Sequence, residues 1–493
     1  MVKGRGDLMK ECFDSKKYLK LQSERIKERI KMFDKLYIEF GGKLVDDYHA
    51  SRVLPGFEPD IKIKLLQEFK GDVEVILCIN ANDIAKNKIR SDRVISYDVE
   101  VFRLIEFLRS KNITIDNVVI TLFNNQDGIT KFKNKLKDYN IKTYIHTFTK
   151  GYPTDVDTIV SDEGYGANPY IETSKKLVVV SAPGANSGKL ATSLSQLYHE
   201  YKKGVNAGYA KFETFPVWNL PLKHPVNIAY EAATADINDK NMIDYFHLEK
   251  YGVTAVNYNR DLETFPVLKE ILHRIVGHDI YYSPTDMGVN VIKDCIIDDE
   301  GCKKAACDEV IRRYFKTLVD VKKGLVSSEA PQRIKLLMNE LGLSVDDREV
   351  VKEAEKKKKK SGCPSAAIMI GKKIVVGRQT DLLSPISATF LNAIKVLTKI
   401  PDDVLLISPN VLEPILDIKR RVSNFYERTL KLDEVLIALS ICSATNPVVK
   451  EALDKLENLK DSQLHATYLI PDNEMIVLNN LGINATCDVE ANL

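Results

Sequence analysis

Three features that would place a chain of this length in a special class are missing here. The 493 residues contain no run of about 18 apolar side chains, so we expect no membrane-spanning helix. The 71 basic and 69 acidic side chains leave a net charge of +2, without the basic excess typical of nucleic-acid-binding proteins. Residues 1–17 are charged and lack the apolar core of a secretory signal. These absences predict a cytoplasmic protein that binds neither nucleic acid nor membrane.

Cysteine is sparse and shows no motif. None of the 8 cysteines forms a CxxC pair, and the closest two of them, Cys302 and Cys307, match neither a zinc knuckle nor a redox pair. The 8 histidines include no HExxH sequence. We therefore expect no zinc site, and thiols that serve as small apolar side chains in a reducing compartment.

The composition is that of an ordinary globular protein, with 44% apolar and 28% charged residues. At roughly 150 residues per domain, the length suggests about three domains. We predict an α/β domain over 1–235 with a mostly parallel sheet and a P-loop-like turn. A largely helical domain follows over 236–350, and a second, smaller α/β domain covers 351–493.

The N-terminal domain alternates short apolar runs with amphipathic helical patterns. Apolar strands that alternate with helices are typical of a parallel sheet covered on both faces. Helices are predicted over 18–33, 97–111 and 128–139. The predicted strands are 36–40, 73–79, 117–123, 142–148, 157–160 and 176–180.

Further along the chain, the pattern becomes mainly helical up to a run of five lysines at 356–360, which we interpret as a solvated helix end and linker. The C-terminal domain then begins with a predicted hairpin at 366–378. The remaining predictions are helices over 384–400 and 433–460 and strands over 403–409 and 465–470.

Polar side chains follow several of the predicted strands. Asn80, Asn82 and Asp83 come after one strand, and 124–127 (NNQD) come after the next. In an open α/β sheet, ligands bind beyond the carboxyl ends of the strands, so these side chains suit a binding crevice. Polar loops also cap helices without binding anything, and that interpretation stays open.

The most specific motif is SAPGANSGK at 181–189, between an apolar strand and a helix that begins near Lys189. Glycines let the backbone approach a ligand closely, and a helix N-terminus offers unpaired N–H groups with partial positive charge. This chemistry favours a bound phosphate. The candidate contacts are Gly184, Asn186, Ser187, Gly188 and Lys189.

The match to the P-loop pattern GxxxxGK[ST] is incomplete. Gly184 and Gly188 are separated by three residues instead of four, and Leu190 stands where the magnesium-binding hydroxyl is expected. Thr192 and Ser193 are candidate substitutes for that hydroxyl. The alternative is a glycine-rich turn with a solvent-exposed lysine.

Several segments resemble an uncharacterised microbial family described as a domain of unknown function. They include DDYHASRVLPGFEPD, SAPGANSGKLATSLSQLYHEYKKG, KFETFPVWNLPLKHPVNIAYEAATAD and LDEVLIALSICSATNP, so the resemblance covers nearly the whole chain. Because the family has no established activity, the resemblance implies a multidomain cytosolic protein and supplies no reaction. It does imply that the SAPGANSGK loop is a family feature.

Two groups of charged residues are further candidates for the chemistry of the site. Asp162 and Glu163 follow the predicted strand 157–160, where a magnesium ligand or general base is expected. His49 and Arg52, next to two aspartates in DDYHASR, suit acid–base chemistry and phosphate binding. Helix caps and solvated surface residues are the alternative for both groups.

Weaker candidates are a basic stretch and a proline- and aromatic-rich segment. The basic residues are either a second phosphate contact or a solvated face, and the segment around Trp218 is suited to lining a pocket. The residues concerned are Lys86, Lys88, Arg90 and Arg93 in the first case, and His224, His247 and Arg260 in the second.

These patterns predict a cytosolic protein that binds a nucleotide or another phosphorylated small molecule, with ATP and Mg²⁺ as the candidate cofactors. A phosphoryl-transfer or other nucleotide-dependent reaction would use Lys189, with Asp162 or Glu163 assisting through magnesium or a proton. The alternatives are a non-catalytic nucleotide or metabolite binder and an oligomeric scaffold, such as a homo-oligomer.

Overall fold

The apolar runs of the N-terminal part form one parallel sheet. The computed structural model describes residues 11–90, 95–422 and 429–489. Its six-stranded sheet has the order β6-β5-β2-β7-β1-β8, and every neighbouring pair is parallel. The predicted mostly parallel sheet is therefore confirmed. Its strands are β1 (Lys35–Phe40), β2 (Val73–Asn80), β5 (Thr114–Thr121), β6 (Lys142–Ile145), β7 (Leu177–Ser181) and β8 (Ala207–Phe212).

Helices surround this sheet, and two short antiparallel ribbons accompany it. The ribbons are β3 (Ile89–Arg90) with β4 (Ile95–Ser96), and β9 (Asn241–Ile243) with β10 (Val256–Tyr258). The helices are α1 (Ser15–Ile30), α2 (Tyr48–Val53), α3 (Ile61–Glu68), α4 (Ala81–Ala85), α5 (Tyr97–Ser110), α6 (Ile129–Asp138), α7 (Val156–Ile159), α8 (Lys189–Lys202), α9 (Pro225–Ala233), α10 (Tyr245–Tyr251), α11 (Asn259–Val276) and α12 (Pro284–Met287).

The central strands are buried on both faces, as near-continuous apolar runs require. Every residue of β7 is buried, and β2 is buried up to its last residue. Helices α8 and α11 pack against the sheet through Leu197 and Phe265, which share one core cluster with Val178 and Tyr37. Burial of this apolar surface holds α8, and with it the SAPGANSGK loop, against the sheet edge.

The C-terminal part is a smaller α/β region with a mixed sheet of order β12-β11-β13-β14. Only the β13–β14 pair is parallel among the described strands of this sheet. Its strands are β11 (Ser365–Ile370), β12 (Lys373–Arg378), β13 (Gln463–Ala466) and β14 (Asn484–Cys487). The remaining helices are α13 (Asp299–Lys322), α14 (Ala330–Glu340), α15 (Glu349–Ser361), α16 (Pro385–Thr398), α17 (Pro409–Val422), α18 (Leu432–Ser443), α19 (Pro447–Asp454) and α20 (Asp472–Asn480).

The structure confirms the hairpin, the helix after it and the helix end at the lysine run, which Gly362 terminates in a left-handed conformation. The strand predicted over 403–409 is wrong. Turns occupy this segment, and Pro409 opens a helix instead. Proline cannot donate to a sheet ladder and disfavours strand pairing next to it, and Leu405 is largely exposed. The last predicted strand, 465–470, overlaps β13 only at His465 and Ala466. A further strand, β14, follows β13 in the chain.

The strand predicted over 157–160 is also wrong, because this segment is helix α7. Asp155 caps that helix, since its carboxylate accepts a hydrogen bond of 3.1 Å from the backbone N–H of Thr158. A short apolar run does not distinguish a strand from one helical turn, and the cap decides the outcome.

The chain divides into two compact units. The first, here called the N-terminal unit, comprises 11–231 and 238–306 and holds the parallel sheet; the second comprises 232–237 and the described residues from 307 onward. The three-part division expected from the sequence stays a prediction. Among the described helices, none has the length and apolar character needed to cross a membrane.

Replacement of Ile76 by alanine tests the core of the N-terminal unit. Ile76 is fully buried in β2, so Ile76→Ala is expected to lower the free energy of unfolding by about 2–5 kcal/mol. Urea unfolding followed by fluorescence of Trp218, the one tryptophan in the sequence, measures this unit. The matched control is Ile89→Ala in β3, where the side chain is 55% exposed and the expected change is within about 0.5 kcal/mol. Equal losses in both variants would contradict this account of the core.

Candidate functional site

Three neighbouring strands end at the same edge of the sheet. Strand β1 lies between β7 and β8, and all three run in parallel, so their carboxyl ends meet. The SAPGANSGK loop follows β7, Glu39 stands near the end of β1, and Lys211 stands near the end of β8. The topology therefore gathers charged side chains that are far apart in the sequence.

The loop is held by the ends of two further strands. Thr121, at the end of β5, donates a hydrogen bond of 2.7 Å to the carbonyl of Ser187. Asn80, at the end of β2, donates one of 3.1 Å to the carbonyl of Asn186. Gly188 has φ +79°, and a Cβ there would lie 2.8 Å from Thr121. A Cβ at Gly184 would likewise lie 2.5 Å from the ring of Tyr97, so both glycines are sterically required.

Two features of the loop are left without partners. The hydroxyl of Ser187 is buried, and it has no hydrogen-bond partner among the described residues. Helix α8 begins after Gly188, and no side chain in the described part of the chain caps it. The first backbone N–H groups of a helix have no partner within the helix and carry partial positive charge. Unused donors thus converge at the start of α8.

Lys189 adds a full positive charge at this point. Its Nζ lies 3.7 Å from Oε1 of Glu39, which is too long for a hydrogen bond, and both side chains are nearly buried. The other oxygen of Glu39 accepts a hydrogen bond of 2.9 Å from the hydroxyl of Tyr209. Lys189 is therefore attracted to Glu39 by its charge but forms no hydrogen bond with it.

A second lysine, Lys211 on β8, is the register partner of Glu39 on β1. The Nζ of buried Lys211 is 2.6 Å from both carboxylate oxygens of Asp261 and donates a hydrogen bond of 3.0 Å to the hydroxyl of Tyr258. Burial alone would lower the pKa of Lys211, but the carboxylates of Asp261 and Glu213 outweigh it and hold the pKa well above its usual value. Lys211 therefore carries a permanent charge.

Glu213 is the carboxyl group with the least compensation in this cluster. Its Oε1 lies 3.8 Å from Lys211 and accepts a hydrogen bond of 2.9 Å from Tyr258. Burial raises the pKa of Glu213, Lys211 lowers it, and the charges of Asp261 and Glu39 raise it again, to about 7. A carboxyl group with this pKa can donate or accept a proton near neutral pH.

Arg260 connects the loop with this cluster. Its guanidinium binds Asp239 through two hydrogen bonds of 2.5 and 2.8 Å and lies 3.5 Å from the side-chain oxygen of Asn186. It also lies over the ring of Tyr258, at 5.5 Å. The structure thus brings Arg260, a weak candidate from the sequence, into contact with both halves of the site.

A cavity of about 40 Å³ adjoins the cluster, with Lys211, Glu213, Asp261 and Trp218 among the residues that line it. Trp218 also lines a second, larger cleft of about 440 Å³, in which His247 lies. The expectation that the segment around Trp218 lines a pocket is therefore confirmed.

Asp162 and Glu163 lie elsewhere. Asp162 pairs with Lys202 and accepts a hydrogen bond of 2.9 Å from Tyr198, near the C-terminal end of α8, whereas the loop is at its N-terminal end. Glu163 pairs with Lys150 on the surface. The hydrogen bonds from these lysines, with Tyr198 at Asp162, lower the pKa of both carboxyl groups. The structure does not bring either residue to the loop.

The hydroxyls of Thr192 and Ser193 are engaged by other partners. The hydroxyl of Thr192 is fully buried and accepts a hydrogen bond of 3.5 Å from the thiol of Cys78, whereas Ser193 donates one of 3.0 Å to the carbonyl of Lys189. Neither hydroxyl is in a position to replace the missing magnesium ligand of a P-loop.

His49 and Arg52 lie on helix α2, which Asp47 caps. The imidazole of His49 packs edge-on against Phe215, at 5.4 Å, so it approaches the end of β8. Arg52 is half-buried on the same helix. The structure places His49 against Phe215, which is two residues after Glu213 in the chain.

Two of the remaining candidates, Lys88 and His224, have structural partners. Lys88 pairs with Asp83 at 3.2 Å and lies over the ring of Tyr97, and His224 pairs with Asp299 at 3.1 Å. Arg93 and the side chain of Arg90 lie outside the described residues, and Lys86 is exposed. Within the described ranges, no group of three or more His, Cys, Asp or Glu side chains is arranged to hold a metal ion.

Sequence reasoning missed most of the Lys211 cluster. Glu39 and Lys211 are charged residues inside buried strands, and this was the available signal, because an unpaired charge is rarely buried. Tyr258 and Asp261 carry no such signal, since they approach Lys211 from a position some fifty residues away in the sequence.

Replacement of Glu213 by glutamine tests the proton affinity of this cluster. Because the pKa is about 7 in the folded protein and near 4.5 in the unfolded chain, the unfolded state binds fewer protons between these values. The wild type is therefore expected to lose about 2–3 kcal/mol of stability as the pH rises through this window, at about 1.4 kcal/mol per pH unit. Urea unfolding at a series of pH values should show that Glu213→Gln lacks this loss.

The control for this experiment is Glu163→Gln, because Glu163 is an exposed carboxylate paired with Lys150. This variant should keep the decline of the wild type. A decline of the same size in Glu213→Gln would show that Glu213 does not titrate in that window.

Two family models together match almost the entire chain. The "Domain of unknown function DUF1846, N-terminal" matches residues 11–342, and the "Domain of unknown function DUF1846, C-terminal" matches 346–492. UPF0371 proteins from Clostridium tetani and Clostridioides difficile are each 54% identical to it over 98% of both chains. A UPF0371 protein from Clostridium botulinum strain Langeland is 53% identical over the same share. The chain therefore belongs to the DUF1846 family.

Proposed function

We propose that this protein binds a phosphorylated small molecule, most simply a nucleotide, at the carboxyl edge of its parallel sheet. The observation that carries the proposal is the buried hydroxyl of Ser187, which has no partner among the described residues and lies beside the uncapped start of α8 and Lys189. A buried hydroxyl without a hydrogen bond is costly, and a bound phosphate oxygen would supply the missing partner.

The proposed phosphate site combines three kinds of donor. The backbone N–H groups of the first turn of α8 supply partial positive charge, Ser187 supplies a hydroxyl, and Lys189 supplies a full charge. Since Thr121 and Asn80 already hold the loop, little conformational entropy is lost on binding. The phosphate of the ligand would form a shorter contact with Lys189 than Glu39 does.

Magnesium would bind in a different way from an ordinary P-loop ATPase. Leu190 replaces the usual hydroxyl, and Thr192 and Ser193 are engaged elsewhere. From the sequence, Asp162 or Glu163 was the candidate carboxylate for magnesium binding or proton transfer at the loop. In this proposal Glu39 takes that role instead, 3.7 Å from Lys189. These contacts favour binding without the phosphoryl-transfer chemistry of a P-loop enzyme. Phosphoryl transfer with a metal ion held by Glu39 is the second candidate.

Lys189→Ala tests the phosphate site. In a thermal-shift screen of nucleotides, sugar phosphates and phosphorylated coenzymes, with and without Mg²⁺, at least one compound should stabilise the wild type. The loss of a buried charge–phosphate contact is expected to weaken that ligand at least about tenfold, which is about 1.4 kcal/mol. The matched control is Lys202→Ala at the other end of α8, which should bind like the wild type.

A wild type that no phosphorylated compound stabilises would contradict the proposal, as would equal responses from Lys189→Ala and the wild type. In that case the loop is a tight turn of a scaffold protein.

Ser187→Ala separates binding from stability. Because the hydroxyl has no hydrogen-bond partner among the described residues, its removal is expected to leave stability unchanged or slightly increased, while the ligand binds more weakly. Ser195→Ala is the matched control, since the buried hydroxyl of Ser195 donates to the carbonyl of Tyr165 at 3.1 Å. That variant should lose about 1–3 kcal/mol of stability and keep its affinity. A large loss of stability in Ser187→Ala would show that its hydroxyl is already satisfied.

A further inference from the structure

The charges at the edge of the sheet do not balance. Two lysines, Lys189 and Lys211, face three carboxyl groups, those of Glu39, Glu213 and Asp261. Both short contacts of Lys211 are with Asp261. Glu39 lies near Lys189 and accepts a hydrogen bond from Tyr209. Glu213 is left with a contact of 3.8 Å to Lys211 and one hydrogen bond from a neutral tyrosine.

Glu213 also has access to a ligand. Its side chain is 25% exposed and lines the cavity next to Trp218. Arg260 connects this position to the loop, because it lies over the ring of Tyr258 and reaches Asn186. A phosphate at the loop is thus connected to Glu213 through Arg260 and Tyr258.

We propose that Glu213 is the proton-exchanging group of this site and takes up a proton from solvent when a phosphate binds at the loop. The inference rests on the proposed function and extends it. A phosphate brings at least one further negative charge next to Glu39, and like charges disfavour the ionised form of a neighbouring carboxyl group. The proton passes from water or buffer to the Glu213 carboxylate, which becomes a neutral acid able to protonate the bound ligand.

Three of the groups that face Glu213, Lys211, Tyr230 and Tyr258, are not suitable acceptors for this proton. Lys211 is held in its charged form by Asp261, and burial holds the pKa of both Tyr230 and Tyr258 well above the usual value for tyrosine. A pKa of Glu213 near 7 leaves this group partly ionised at neutral pH, so it can accept a proton there. The charged or titratable groups around it are Glu39 on β1, Lys211 on β8, Tyr230 on α9, Tyr258 on β10 and Asp261 on α11.

Isothermal titration calorimetry of the full chain with ATP tests this proposal. Titrations at a pH of about 7.5, in buffers with different ionisation enthalpies, give the number of protons taken up on binding. The wild type should take up on the order of half a proton more than Glu213→Gln, because ATP's own ionisation is common to both. At a pH of about 5 the difference should vanish, since Glu213 is then protonated before ATP binds. Pyrophosphate is a second probe if the nucleotide base is not accepted.

Two variants serve as controls. Glu163→Gln should match the wild type at both pH values, because its carboxylate lies on the surface with Lys150. Tyr258→Phe removes the hydrogen bond that favours ionised Glu213, so it should move the pH range of proton uptake upward. This second variant also keeps the test valid if Glu213→Gln does not fold.

The outcomes separate the two proposals. Binding with equal proton uptake by the wild type and Glu213→Gln overturns the role of Glu213 and leaves the phosphate site intact. If the pH range of proton uptake is the same in Tyr258→Phe as in the wild type, the role of Glu213 is overturned as well. If neither ATP nor pyrophosphate binds the wild type while another phosphorylated compound does, the same comparison is made with that compound. The absence of any phosphorylated ligand overturns both proposals.

Discussion

The buried ion pair between Lys211 and Asp261 is the interaction on which the architecture of the site depends. It joins the end of β8 to the first turn of α11 through two contacts of 2.6 Å. An ion pair out of water gains stability only when its geometry is good and its remaining hydrogen-bonding groups are satisfied. Tyr258 meets that requirement by accepting a hydrogen bond from Lys211 while donating to Glu213. Removal of either charged partner would leave an uncompensated charge among buried groups.

This ion pair also determines where Arg260 lies. Arg260 is next to Asp261 in the sequence, so the anchoring of α11 directs its guanidinium toward Asp239 and the loop at Asn186. The loop is held independently on its other side by Thr121 and Asn80. The phosphate site and the Glu213 cluster are therefore built from separate anchors that meet at one edge of the sheet. Glu39, between the two lysines, couples the halves electrostatically.

Much of the fold follows from local patterns in the sequence. Continuous apolar runs identified five strands of the parallel sheet, because strands buried on both faces need apolar side chains at successive positions. Strand β8 was missed because AGYAKF combines small residues with a lysine, and neither feature is typical of a buried strand. The segment at 157–160 was misread because the cap from Asp155 outweighs a short apolar run. The strand predicted over 403–409 was wrong for a similar local reason, because prolines flank this segment.

By itself, the sequence determined the class of fold, the position of the glycine-rich loop and the start of the helix at Lys189. These properties depend on side-chain periodicity and on the conformational freedom of glycine, both of which act over a few residues. Only the tertiary structure decided which carboxylates accompany that loop. Glu39 and Glu213 meet Lys189 and Lys211 because parallel strands that are distant in the sequence end side by side, and α11 brings Asp261 to the same place. Asp162, about as near to the loop in sequence as Glu213 is, contacts Tyr198 and Lys202 instead, and a helix of 14 residues puts Lys202 about 20 Å from the loop.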